Sequence, residues 1–161
     1  MKITNKHILF WNGIFSNFEH CHIDNEYGEF YTSEQYFMYR KALFFKCDDI
    51  AELIYNEMKP GKCKEHGRKI PNFNASKWSK VSESIMEDAV YCKFSQNREL
   101  YDELISPKYD GKKFVEASPF DDIWGIKLGE ENPDADDETK WRGLNLLGKV
   151  IDKVRLKLLN Q

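Results

Sequence analysis

No apolar run in this chain is long enough to cross a bilayer, and its opening residues, Met1-Lys2-Ile3-Thr4-Asn5-Lys6-His7, hold no hydrophobic stretch of a signal or transit peptide. Neither membrane insertion nor secretion is expected, and a cytoplasmic location is. Cysteine is sparse: Cys21, Cys47, Cys63 and Cys92 are widely spaced and form no C-x-x-C pair. That removes the common zinc and dithiol motifs and leaves reduced thiols as the expected state. His20-Cys21-His22 is the nearest approach to a metal cluster, yet on a strand its outer and middle residues face opposite ways. Neither a metal nor a cofactor is expected. Positive charge is not in excess either. Lys and Arg number 24 against 27 Asp and Glu, a net charge of −3 with the basic residues spread along the chain. This argues against tight binding along a long polyanion, though not against a nucleotide-sized ligand. Asp134-Ala135-Asp136-Asp137-Glu138 has the acidity of a calcium loop without its spacing or central glycine, and reads as a solvated loop.

What is present is the composition of one globular domain over 1–161, with 41% hydrophobic and 32% charged residues and enough length to bury a core. Aromatic content is 14%, high enough that some rings are candidates to line a pocket as well as the core. Alternation and turn residues predict a strand over 7–11 and a strand pair at 19–23 and 28–31. A helix capped by Thr32 or Ser33, with Gln35 placed for a capping box, is expected to run to about Phe45. Further helices are expected from Asp48 or Asp49 to Met58, where Pro60-Gly61 stops the chain, then as a short turn over 62–68. A long helix over 76–96 would turn Trp78, Val81, Ile85, Ala89 and Cys92 inward. A helix at 98–105 and a strand at 113–117 follow. The last helix is expected over roughly 139–159, with Leu144, Leu147, Ile151, Val154 and Leu158 as its stripe. The class is α+β: several helices around a small, mostly antiparallel sheet.

Two segments place charge where apolar side chains belong. In Thr32-Ser33-Glu34-Gln35-Tyr36-Phe37-Met38-Tyr39-Arg40-Lys41-Ala42, about 100° per residue brings Lys41 to within about 20° of Glu34, roughly 10 Å further along the axis. Met38 and Phe45 share that line, with Phe37 and Phe44 beside it. Desolvation on such a face raises a carboxyl pKa and lowers an ammonium pKa, moving both toward proton transfer or nucleophilic chemistry at neutral pH. The plainer account is that Glu34 complements the helix N-terminus and Lys41 snorkels to water. In Glu116-Ala117-Ser118-Pro119-Phe120-Asp121-Asp122-Ile123-Trp124-Gly125, a turn after a buried strand carries Asp121, and Gly125 permits close backbone approach. An ordinary Asp-initiated turn with Trp124 in the core is the alternative.

Weaker candidates lie outside these segments. In Ser16-Asn17-Phe18, Asn17 would bind a sugar or amide or close an Asx-turn. Gly67-Arg68 would clamp phosphate or make a surface ion pair. Lys93 sits at the margin of its helix's apolar face, where snorkelling is the plain account. Arg155 would pair with a buried carboxylate or a ligand phosphate, and Trp141 and Asn145 would serve as pocket wall or core.

Taken in order, Phe10-Trp11-Asn12-Gly13-Ile14-Phe15-Ser16-Asn17-Phe18, Ser33-Glu34-Gln35-Tyr36 with Lys41-Ala42, Gly67-Arg68, Trp78, Lys93-Phe94-Ser95-Gln96-Asn97, Glu116-Ala117-Ser118-Pro119 with Asp121 and Trp124-Gly125-Ile126, then Trp141-x-Gly143-x-Asn145-Leu146-Leu147-Gly148 and Arg155 form a distinctive series. The chain thereby resembles the NADAR, or YbiA-like, family over about 8–158. The resemblance implies the YbiA-like fold and an N-glycosidase that cleaves the C1′–N bond between ribose or ADP-ribose and a base. One branch of the family acts on phosphoribosylamino-pyrimidine intermediates of riboflavin synthesis, the other on ADP-ribosylated guanine in nucleic acid. It implies function on Glu34, Asp121, Trp78 and Trp124, with Lys41 and Lys93 in the pocket. Two positions depart from the family pattern: Lys127 stands where a glycine is usual, and Gln35 where a histidine is.

The candidate set is therefore Glu34, Asp121 and Lys41 for catalysis. Asn17, Phe18, Tyr36, Gly67, Arg68, Trp78, Lys93, Ser118, Trp124, Gly125, Asn145 and Arg155 are the candidates for substrate binding. Glu34 and Asp121 are expected to meet across one Trp-walled cleft. One carboxylate would stabilise the ribosyl cation and activate water, while the other, or Lys41, protonates the leaving nitrogen. Trp78, Trp124 or Tyr36 would stack on the base, and Arg68, Lys93 or Arg155 would hold phosphate. A Schiff base on Lys41 with a ring-opened sugar is the covalent variant. The rival is a non-catalytic ADP-ribose or nucleotide reader, which needs the stacking groups but not both carboxylates. The expected partner is a small ribosyl or ADP-ribosyl substrate, with ADP-ribosylated nucleic acid as the second candidate and no membrane.

Overall fold

Five short strands and seven helices form in the computed structural model, which describes residues 1–161. In chain order they are β1 (Lys2–Ile3), β2 (His7–Phe10), β3 (Ile23–Asn25), β4 (Gly28–Phe30), α1 (Ser33–Phe44), α2 (Asp48–Tyr55) and α3 (Pro60–Arg68). Then come α4 (Ala75–Ser79), α5 (Ser82–Gln96), α6 (Arg98–Leu104), β5 (Lys113–Glu116) and α7 (Leu146–Leu159). The protein is α+β. Its residues fall into two compact units, Met1–Ser16 with Arg98–Gln161, and Asn17–Asn97.

In the first unit β2 pairs antiparallel with β1 and parallel with β5, in the register His7↔Lys113 to Phe10↔Glu116. Ile8, Leu9, Phe10, Phe114 and Val115 are all buried, the unbroken apolar pattern of strands covered on both faces. Helix α7 packs on β5. A Cβ at Gly148 would lie 2.1 Å from the Phe114 carbonyl oxygen, so only glycine lets the helix approach the strand this closely. The acidic stretch is more than a solvated loop. It forms 3₁₀ turns at Pro133–Asp136 and Glu138–Lys140, and the buried His7 ring meets Asp136 through Nδ1 at 2.7 Å and Glu138 through Nε2 at 3.2 Å. Trp141 packs against the core around Leu9, Val115 and Ile126, its indole N–H donating to the Ala135 carbonyl.

In the second unit β3 and β4 form a hairpin across Glu26-Tyr27, with the Tyr27 N–H bound to the Asn25 side chain and Gly28 at φ +117°. The hairpin is shorter than expected and starts later. Helix α1 is the hub: α2, α3 and α5 all pack on it. Residues Ser33 to Met38 are buried without interruption, so its first half is enclosed on all sides and does not present a single apolar stripe.

Three boundaries differ from expectation for identifiable reasons. Pro60 starts α3 at its first position, where its missing N–H costs nothing, so 60–68 is a full helix and α2 ends at Tyr55 with Met58 exposed. The helix expected over 76–96 breaks between Ser79 and Ser82: Asn74 caps α4 through the Lys77 N–H at 2.9 Å, and Val81 (φ −120°, ψ −18°) leaves helical geometry. Its burial changes accordingly, with Met86, Val90 and Lys93 inward and Cys92 only partly buried. Helix α7 begins at Leu146, not near 139, because Asn145 is left-handed (φ 52°) and Leu144 is exposed.

Candidate active site

In the second unit the chemistry gathers at the start of α1. Thr32 Oγ1 accepts the Gln35 N–H at 3.0 Å, the capping bond expected. Gln35 completes only half of a capping box. Its Oε1 takes the Tyr31 N–H at 2.8 Å, while its Nε2 reaches the carbonyls of Ile54, Tyr55 and Glu57, each at 3.1 Å. Gln35 thus ties α1 to the end of α2. Asn17 is buried and fixes the same terminus: its Oδ1 accepts the Ser33 hydroxyl at 2.8 Å, and its carbonyl accepts the Glu34 N–H at 3.0 Å. Glu34 is buried in the first turn, where the helix dipole favours an anion.

Lys41 does not run freely to solvent. Its Nζ donates to the Gly67 carbonyl at 3.1 Å and lies 4.7 Å from the Phe73 ring centroid. Burial lowers its pKa from the ordinary lysine value, opposed by the charge of Glu34 and assisted by that of Arg68. Gly67 is buried against Met38, where a Cβ would come 2.2 Å from the sulfur, and Arg68 is exposed. Trp78 belongs to an aromatic cluster, its ring centroid 5.3 Å from Phe37, 5.7 Å from Phe44 and 6.1 Å from Phe45. Phe18 is exposed, with the Lys64 ammonium 6.0 Å from its ring centroid.

In the first unit the segment after β5 is a pair of nested turns. Ser118 Oγ accepts the N–H groups of Phe120 at 3.2 Å and Asp121 at 3.1 Å. Asp121 Oδ1 in turn accepts those of Ile123 at 2.9 Å and Trp124 at 2.8 Å. Asp121 and Trp124 are both partly buried. Gly125 is pressed on β5: a Cβ there would lie 2.9 Å from the Glu116 carbonyl oxygen. Carbonyls of this turn then receive the chain leading into α7. Ile123 accepts from Leu146 at 3.2 Å and Trp124 from Leu147 at 3.1 Å, satisfying two N–H groups that a helix start leaves open. The turn that presents Asp121 is therefore braced from both sides.

Several candidates are committed elsewhere. Asn145 takes the core alternative: its buried amide donates to the Phe114 carbonyl at 3.0 Å and accepts the Glu116 N–H at 2.9 Å, clamping β5 to the start of α7. Arg155 meets neither a buried carboxylate nor an open phosphate site. It donates to the carbonyls of Leu104 at 2.9 Å and Ser106 at 3.1 Å and pairs with the exposed Asp110 at 2.6 Å. Tyr36 is fully buried against Tyr27 and Phe30, with no face for a base. Lys93 does not snorkel: it is 1% exposed, and burial pushes its pKa down to about 8 against the opposing charges of Cys21 and Glu19. Of the cations singled out, Arg68 keeps surface on which a phosphate could rest. No cluster of three or more His, Cys, Asp or Glu is arranged to hold a metal ion, and no helix is long and apolar enough to cross a membrane.

Lys127, where the family pattern leads one to expect glycine, sits at φ 56° with its N–H bound to the Asp121 carbonyl at 3.1 Å. A side chain in the left-handed region costs about 1–2 kcal/mol, part of which glycine's greater unfolded-state entropy offsets. Lys127→Gly is expected to raise unfolding stability by about 0.5–1 kcal/mol, seen in urea as a higher midpoint at unchanged slope. A lower midpoint would mean that the lysine side chain helps to hold the turn.

These features define an α+β protein with a buried carboxylate and a desolvated lysine on one helix and a second carboxylate on a braced turn. The NADAR domain model matches residues 7–159, and the chain belongs to that family. It is 46% identical over 132 residues to protein irg-1 of Caenorhabditis elegans, covering 81% of this chain and 61% of that protein's length. It is 40% identical over 139 residues to N-glycosidase R617 of Acanthamoeba polyphaga mimivirus, covering 86% of this chain and 81% of the relative. The solved structure of the E. coli protein YbiA superposes with a TM-score of 0.77 at 27% identity, covering 99% of this chain and 88% of that one.

Proposed function

We propose that the protein is an N-glycosidase that hydrolyses the C1′–N bond between a ribose or ADP-ribose and a base. The observation that carries this reading is the 40% identity to a relative named as an N-glycosidase, 81% of whose length the match spans. The chemistry of the candidate residues supports it. As the C1′–N bond breaks, positive charge builds on the sugar and negative charge on the departing nitrogen. An anion toward the sugar and a proton toward the base are then needed. Water adds its oxygen to C1′, one of its protons passes to the carboxylate that activates it, and the base leaves protonated on nitrogen.

Glu34 and Asp121 divide these tasks, with Lys41 the alternative acid, since an ammonium of lowered pKa gives up its proton more readily. Trp124 is the candidate stacking ring and Arg68 the candidate phosphate contact. The substrate is either a phosphoribosylamino-pyrimidine of the riboflavin pathway or ADP-ribosylated guanine in nucleic acid. Incubating the protein with both, side by side, and resolving the products by chromatography is the test. Free base released from one or both is expected, and release from neither ends the reading. The lowered pKa of Lys41 also keeps a Schiff-base route open. Borohydride present during turnover would then leave a ribosyl adduct on Lys41, and the absence of an adduct would rule that route out.

A further inference from the structure

Beside Asp121 lie two aromatic rings that no core residue accounts for. Phe120 is 77% exposed and Trp11 is 41% exposed, yet their ring centroids are 5.8 Å apart at an interplanar angle of 57°. Neither is loosely held. Trp11 directly follows β2, Phe120 lies in the turn after β5, and those strands run side by side with Phe10 opposite Glu116. The Phe120 N–H is fixed by Ser118 Oγ, and the Ala117 N–H is bound to the Phe10 carbonyl at 2.6 Å. An aromatic pair held open to solvent on a rigid turn leaves apolar faces exposed, and a flat ring stacked on them would remove that area from water. With a net charge of −3 and its basic residues dispersed, the chain offers no phosphate-binding stripe, which leaves the exposed ring faces as the feature that can recognise a base.

We infer that Trp11 and Phe120 form a stacking shelf for a nucleobase that the substrate carries outside the bond to be cleaved. This rests on the N-glycosidase reading for its place beside Asp121, which Phe120 immediately precedes. It deepens that reading by selecting substrates with a second base: the adenine of an ADP-ribosyl group, or a neighbouring base of a strand. A ribosylamino-pyrimidine has no such ring to offer.

The test compares the dissociation constants of AMP, ribose 5-phosphate and a short single-stranded oligonucleotide for the wild type, Phe120→Leu, Phe120→Tyr and Trp11→Leu. Leucine keeps apolar area but removes the π-face, whereas tyrosine keeps the face. Phe120→Leu and Trp11→Leu are expected to weaken a base-bearing ligand about tenfold, Phe120→Tyr to bind as wild type, and ribose 5-phosphate to bind all four alike. A loss seen with AMP identifies the substrate's own adenine, and a loss seen only with the oligonucleotide identifies a flanking base. Unchanged binding of both base-bearing ligands in Phe120→Leu overturns the shelf, as does failure of the wild type to bind either. Failure of the N-glycosidase reading is seen separately, as no base released by the wild type, with the ring-dependent binding still present.

Discussion

Glu34→Gln is expected to cut kcat by at least about a hundredfold, the low end for losing a group that acts in acid–base or charge stabilisation. The substitution is close to isosteric. The Glu34 main-chain N–H stays on the Asn17 carbonyl, and the Thr32 cap bonds Gln35 and is untouched. What disappears is the charge, in a side chain only 7% exposed, where water screens it weakly. Steady-state rates on whichever substrate releases base are the measurement, with a melting curve to show that the variant is folded. A rate equal to the wild type's would remove Glu34 from the mechanism. Asp121→Asn is a matched second variant, because an asparagine Oδ1 can still accept from Ile123 and Trp124 and so keep the turn while losing charge. If the two carboxylates serve one transition state, the double variant should lose little more than the worse single one. Losses that multiply would place Asp121 outside the step that needs Glu34.

Lys93→Met is expected to stabilise the protein near neutral pH by up to about 3 kcal/mol, and the gain should fade as pH rises toward about 10.5. The folded-state pKa of Lys93 is about 8 against an ordinary 10.5. Below about pH 8 both states hold the proton, and the folded protein bears the full cost of enclosing a cation. Between the two values the unfolded chain keeps a proton that the folded chain has released, so this group makes stability rise with pH. Cys21 acts with the opposite sign. Burial lifts its thiol to about 11, so the stability it contributes is present below the ordinary 9.0 and is lost as pH rises through the folded value. The informative quantity is therefore the difference between variant and wild type, taken from urea unfolding at pH 7, 8.5 and 10. A difference that does not change with pH would show that Lys93 is not buried as a cation at neutral pH. Methionine approximates the stem, so a cavity should not mask the effect.

Much of the second unit was legible because its signals are local. Thr32 as a cap and the placement of Glu34 and Lys41 on one line of α1 follow from capping chemistry and helix geometry over a few residues. Burial depth is different. The periodicity of α5 put Lys93 at the edge of an apolar face and suggested an escape to water, and nothing in that spacing reveals that neighbouring chain closes over the ammonium. Gln35 shows the same division: its main-chain N–H obeys the capping rule, but its amide goes to carbonyls about twenty residues away.

By itself the amino-acid sequence determined the α+β class, the family, the ends of α1, and a turn carrying Asp121, all set by periodicity, capping chemistry, turn residues and motif order. The tertiary structure alone decided that Asn145 and Arg155 clamp the protein's own backbone, that α7 starts on carbonyls of the Asp121 turn, and that Trp11 and Phe120 stand open together. Those outcomes depend on which distant groups share a neighbourhood. A side chain's type states what it can bind, and only the packed chain states whether that capacity is already taken.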